Sequence, residues 1–201
     1  MKTGLQALAQ KDYLTASTHI QRGLELDTRN PVAWRMLAVA FEKQGEFAKA
    51  FTAYEAAARL APDDVAVVRD VGQLAHRLGK LELAEKLFER FLASRPGDEE
   101  VTNSLACVLR DQNRYDDAIA LLRDIINAHP ERPLLWNTLG TVLSDSGDAA
   151  GAMVFYDEAL RLDPGFHKAR HNRAYCLTVL GEPQKGIEEM EIASQGLTDP
   201  R

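Results

Sequence analysis

Arginine and asparagine side chains are the groups in this chain best placed by type and spacing to meet a ligand. Arg35, Arg69, Arg77 and Arg110, with His76 among them, offer cations suited to the carboxylates or carbonyls of an acidic segment. The same arginines could instead pair with Glu42, Asp70 and Asp111 and solvate their own helices. Asn103, Asn137 and Asn172 are poor helix formers, and a primary amide can bond both N–H and C=O of an extended backbone without reading its sequence. His167 and His171 are four apart, yet no Glu, Asp or third His completes a metal motif, so neither metal nor cofactor is expected. Glu82, Glu85 and Glu89, like Glu188, Glu189 and Glu191, read as solvated helix faces rather than catalytic pairs. GxSxG, GxxxxGK, HExxH and strand-following GxGxxG motifs are all missing, so no enzyme is expected.

Composition bounds the setting. Apolar residues make up 45% and charged residues 27% of 201, an ordinary folding mixture. A formal charge of -6 has the wrong sign for a phosphate backbone, so nucleic acid is not an expected partner. Cys107 and Cys176 have neither CxxC nor metal-ligand spacing and read as free thiols in a reducing compartment. The N-terminus lacks a signal-peptide apolar region and no run is long enough to span a membrane, so a cytoplasmic location is expected.

The elements that position these groups follow from a 34-residue period. Pro62, Pro96, Pro130 and Pro164 form one comb, and Gly45, Gly79, Asn113, Gly147 and Gly181 a second. Small residues form a third: Ala16, Ala50, Ala84, Ala118, Ala152 and Gly186. Large apolar residues follow four positions later: Ile20, Tyr54, Phe88, Leu122, Tyr156 and Met190. Between combs, spacings such as Trp34, Leu37, Ala38 and Phe41 mark amphipathic helices. Each period is therefore two helices, the glycine comb turning the first and the proline comb stopping the second. About eleven full helices and one truncated helix are predicted.

Trp34, Leu37, Ala38, Phe41, Ala50, Tyr54, Ala57 and Pro62, and again Trp136, Leu139, Gly140, Leu143, Ala152, Tyr156, Ala159 and Pro164, carry a signature that resembles the tetratricopeptide family. The resemblance covers essentially the whole chain and implies an all-α fold, a right-handed superhelical solenoid of antiparallel helix pairs. Its register implies one array over 1–201, with a partial unit ending at Asn30 and then 31–64, 65–98, 99–132, 133–166 and 167–200. The last unit departs from the pattern at Arg170, Arg173 and Thr198. Leu5 and Leu8 at one end, with Ile187, Met190 and Ile192 near the other, are expected to leave apolar surface that favours weak self-association.

At 100° per residue, positions 2, 5, 9, 12 and 13 of each first helix share one exposed flank, and in the resembled family that flank lines a concave groove for a peptide or partner helix. The implied groove residues are Arg35, Val39, Arg69, Gln73, His76, Arg77, Asn103, Cys107, Arg110, Asn137, Thr141, Lys168, His171, Asn172 and Tyr175. Lys168, Asn172 and Arg173 resemble part of a family clamp for a terminal carboxylate, although Asn137 and Thr141 stand where it needs lysine and asparagine. Asn103 and Asn137 are similar in kind to the asparagine ladder of certain glycosyltransferases, one position early. The implied function is a non-catalytic protein-binding scaffold. Two alternatives stay open: the substrate-presenting N-terminal region of a glycosyl- or sulfotransferase, and a self-assembly module.

Overall fold

The computed structural model describes residues 2–197, whose backbone forms twelve helices and no strand. They pair as hairpins: α1 (Lys2–Ala9) with α2 (Tyr13–Leu26), α3 (Pro31–Lys43) with α4 (Phe47–Leu60), and α5 (Val65–Arg77) with α6 (Leu81–Ser94). There follow α7 (Glu99–Asp111) with α8 (Tyr115–Ala128), α9 (Pro133–Asp145) with α10 (Ala149–Leu162), and α11 (His167–Val179) with α12 (Pro183–Leu197). The eight-residue α1 is the truncated helix that the period predicts. Thr198, expected in place of a terminal proline, lies outside the described residues.

Each first helix ends in the same way. The comb residue takes a left-handed conformation, with φ 79° at Gly45 and 60° at Asn113. The next N–H then reaches back five residues: Glu46 N donates to Phe41 O at 2.9 Å and Arg114 N to Leu109 O at 2.9 Å. Lys11 holds the corresponding place in the first hairpin with φ 60°, and Asp12 N donates to Ala7 O at 2.9 Å. The second helices α4, α6, α8 and α10 each stop two residues before their comb proline, whose ring and missing N–H cannot continue a helix. The first helices α3, α5 and α7 begin on side-chain caps, as where Asn30 Oδ1 accepts from Ala33 N at 3.0 Å and Asp98 Oδ1 from Val101 N at 3.0 Å, whereas α9 and α11 do not.

Close helix approach explains the small-residue comb. Ala16, Ala50, Ala84, Ala118 and Ala152 have no exposed surface, and Ile20, Tyr54, Phe88, Leu122 and Tyr156 are buried beside them. Glycine serves the same end on two first helices: a Cβ on Gly140 would stand 2.8 Å from Tyr156 Cε1, and one on Gly72 would overlap the Phe88 ring. The last hairpin replaces apolar packing with charge. Arg173 pairs with Asp157 at 2.6 Å and with Glu189, while Arg170 pairs with Glu189 at 3.2 Å and donates to Pro164 O at 3.0 Å.

The helices cluster into two compact units, residues 1–94 and 95–201. In the first, α2 packs on α3 and α4 on α5; in the second, α8 packs on α9 and α10 on α11. Within the second unit α9 also meets both α7 and α11, so three first helices lie side by side and present one continuous flank.

Candidate functional site

In the first unit the expected groove residues lie on α3 and α5. Arg35 Nε donates to Asp70 Oδ2 at 2.6 Å, Arg69 Nε to Asp70 Oδ1 at 3.3 Å, and Arg77 Nη2 to Glu42 Oε1 at 2.9 Å. Tyr54, from α4, closes the arrangement by donating its hydroxyl to Glu42 Oε2 at 3.1 Å. Burial, reinforced by the Glu42 charge, pushes the Tyr54 phenol well above its ordinary range, so it remains a donor. Val39, Glu42, Tyr54, Asp70, Gln73 and Arg77 line a pocket of about 200 Å³. His76 is half-buried on the same helix. Arg35 and Arg77 thus meet carboxylates of the neighbouring first helix and Arg69 meets the adjacent Asp70 of its own, and an acidic guest here would have to displace them.

The second unit is different in chemistry. Arg110 is the cation on its flank that pairs in the same manner, with Asp111 at 2.7 Å and Asp145 at 3.4 Å. Around it the groups are amides, hydroxyls and thiols. Asn137 is only 5% exposed, against the expectation of an open flank, because α11 lays Asn172 over it. Asn172 Nδ2 donates to Asn137 Oδ1 at 3.1 Å and to Thr141 Oγ1 at 3.3 Å; Tyr156 OH donates to Thr141 Oγ1 at 3.4 Å. Thr141 in turn donates to Asn137 O at 2.9 Å, which fixes its hydroxyl. Thr141, Ser144, Tyr156, His171, Asn172 and Tyr175 line a small pocket of about 130 Å³, with the Tyr175 ring 58% exposed at its edge.

Asn103, one repeat before Asn137, carries the least satisfied group of the flank. Its Oδ1 is buried and accepts no hydrogen bond. Cys107 follows one turn later, half-buried, its thiol pushed up by burial while Arg110 and Lys168 pull it back. Cys176 is buried and donates to Ser144 Oγ at 3.5 Å. Lys168 and His171 are exposed on α11. The clamp-like trio is not assembled: Asn172 turns to Asn137, Arg173 turns to Asp157 and Glu189, and Lys168 stays in solvent. Among the described residues no three His, Cys, Asp or Glu side chains converge on a metal position, and no helix is long and apolar enough to cross a membrane.

Position arithmetic on the first helices did not include Tyr54 and Tyr156, whose hydroxyls reach the first-helix flank from the second helices. Their signal was the fourth comb, where a tyrosine in place of a leucine brings a hydroxyl to the far end of a core side chain.

The sequence profile of the tetratricopeptide repeat family matches residues 1–65, 37–99 and 103–167. Protein FlbA of Caulobacter vibrioides is 46% identical over 196 residues, which is 98% of this chain and 33% of that protein. The peroxisomal targeting signal receptor of Saccharomyces cerevisiae is 24% identical over 189 residues, 90% of this chain and 31% of the receptor. The chain therefore spans about a third of the length of these curated relatives. Among solved structures, a tetratricopeptide repeat protein from Parabacteroides merdae superposes with a TM-score of 0.81 at 17% identity, covering 96% of this chain and 75% of the other, a likeness of fold.

Proposed function

The chain belongs to the tetratricopeptide repeat family, and we propose that it is a non-catalytic scaffold whose first-helix flanks hold an extended segment of another protein. The observation that carries this reading is the buried, unpartnered Asn103 Oδ1 beside the amide and hydroxyl cluster of Asn137, Thr141 and Asn172. A buried acceptor without a donor costs about 1–3 kcal/mol in the free protein, and turning the half-buried amide toward a peptide N–H laid along α7 and α9 would recover it. The guest is held chiefly by its backbone there, because the less exposed groups of the flank are amides and hydroxyls, while the cation Lys168 stands exposed on α11. Arg110 selects against a basic residue at that point, and Tyr175 offers an aromatic face to an apolar one.

A receptor for a targeting signal is among the relatives, which supports a polypeptide as the class of guest. The acidic balance of the chain favours protein over nucleic acid. Two free thiols suit a reducing, cytoplasmic setting.

The test is a pair of measurements on one variant. Peptides of about twelve residues are selected from a random display library on the parent, and their kinetics are followed on parent and Asn103→Ala. Removing an unsatisfied carbonyl raises folding stability while speeding peptide dissociation, by roughly 1 kcal/mol in each direction. Unchanged dissociation with raised stability would remove the flank as the working site.

A further inference from the structure

The second helices build another groove, in the first unit. It lies between α4 and α6, has a volume of about 390 Å³, and is floored by Phe51, Val71, Leu83 and Leu87. Val71 and Phe51 are nearly buried, while Leu83 and Leu87 are half-exposed walls.

Three repeats later the same positions recur between α10 and α12. Phe51, Glu55, Val71, Leu83, Leu87 and Arg90 are replaced there by Met153, Asp157, Arg173, Lys185, Glu189 and Ile192. In that groove Arg173 spans the gap, pairing with Asp157 on α10 and Glu189 on α12. The protein thus ties this groove with its own charges. In the first unit Val71 and Leu87 stand in the places of the arginine and the glutamate, so the floor is apolar and unbridged.

The rim completes the contrast. Arg59 and Arg90 line the groove, are exposed, and have no carboxylate partner among the described residues, unlike Arg35, Arg69 and Arg77 on the first helices of the same unit. Lys80, which is not a lining residue, is already engaged with the Phe51 ring, its Nζ 4.0 Å from the ring centre. Glu55 is the single acid on the rim. An apolar floor under two unpaired arginines and one glutamate is complementary to an acidic, amphipathic guest.

We propose that the α4–α6 groove is a second docking site, for a partner helix that sets an aliphatic side chain against Leu83 and Leu87, above the buried Val71, and its carboxylates on Arg59 and Arg90. Two neighbouring helices with a hydrophobic trough between them are suited to helix-in-groove recognition, in which apolar anchors recur at i, i+3, i+4 and i+7. The site is independent of the backbone-binding flank and stands whether or not that reading does.

The experiment uses the whole chain, methyl-labelled at Val and Leu, titrated with a helical peptide of about 15 residues bearing Leu at those spacings and Glu between them. A twin with Gln for Glu is the control. Saturable shifts of the Val71, Leu83 and Leu87 methyls are expected, with affinity at least about tenfold weaker for the Gln twin and for Arg59→Glu/Arg90→Glu. Both substitutions are on the surface, and an unchanged circular dichroism spectrum confirms that the double variant folds. No saturable shift up to millimolar peptide, equal binding of the two twins, or undiminished binding by the double variant would overturn the proposal. So would a peptide-free dimer in sedimentation equilibrium that the double variant abolishes, since the occupant would then be a second copy.

Discussion

Asn172 on α11 donates from Nδ2 to Oδ1 of Asn137 on α9 at 3.1 Å, joining two hairpins through the floor of the candidate groove. Replacing Asn172 by Ala leaves a carbonyl oxygen of the nearly buried Asn137 without its donor. The expected cost is about 1–2 kcal/mol in a denaturation experiment. An Asn137→Ala/Asn172→Ala double variant should cost less than the sum of the singles, because the orphaned acceptor is gone; strict additivity would mean that the bond contributes nothing.

The glycine at the centre of α9 is a steric requirement rather than a turn. Gly140→Ala places a methyl against the Tyr156 ring, and Ala118→Phe overfills an interface with no exposed surface at that residue. Ala118→Phe should lower stability by about 1–3 kcal/mol or more, and Gly140→Ala by a smaller amount because the ring can shift. Gly140→Ala combined with Tyr156→Leu should restore part of the loss. Melting temperatures of the three variants decide the matter, and an unaltered value for Ala118→Phe would contradict the packing described.

Charge in the last hairpin behaves as a unit. Glu189→Leu alone leaves Arg170 and Arg173 half-buried with reduced pairing and should destabilise by about 1–3 kcal/mol, less than for a fully buried network because solvent screens it. The triple change Arg170→Leu/Arg173→Leu/Glu189→Leu, which restores apolar residues of the kind the other repeats carry, should recover most of that stability. A triple variant no more stable than the single one would show that these charges do more than fill space.

Burial pushes the Tyr156 phenol up to about 12. The unfolded chain ionises near 10, so the folded state holds the proton more tightly. The resulting stabilisation is complete below pH 10 and is lost as pH rises through 12. Tyr156→Phe should therefore lose less stability than the parent between roughly pH 9 and 11, a difference that denaturant midpoints at the two values would reveal. Parallel losses in both proteins would mean that the phenol is not held in its buried place.

The hairpin order and the helix-facing residues could be read from the chain because period, turn residue and proline all agree in one register. Lys11 was not legible as a turn residue, since lysine has no preference for the positive φ that accompanies the return bond from Asp12 N to Ala7 O. The flank residues were legible as a set of positions on the first helices, but their state was not. Whether Arg35 stands free or meets Asp70 depends on how α3 and α5 are offset, and a pairing across 35 residues leaves no local trace. The contrast between Val71 with Leu87 and Arg173 with Glu189 was in the sequence throughout, but it has meaning only once those positions are known to face one another across a groove.

The left-handed turns offer handles for measurement. At Gly45, Gly79, Gly147 and Gly181 an added Cβ would have no atom within 4 Å, and Lys11 and Asn113 already carry side chains in the same conformation. A reporter group attached at such a turn meets only a torsional cost of about 1–2 kcal/mol and leaves the helix interfaces untouched. Residues 113 and 147 are thus natural places for a pair of spin labels or fluorophores after the native thiols are replaced. The repeats would then act as a ruler with its own graduations, able to report in solution how adjacent hairpins shift when a guest is taken up.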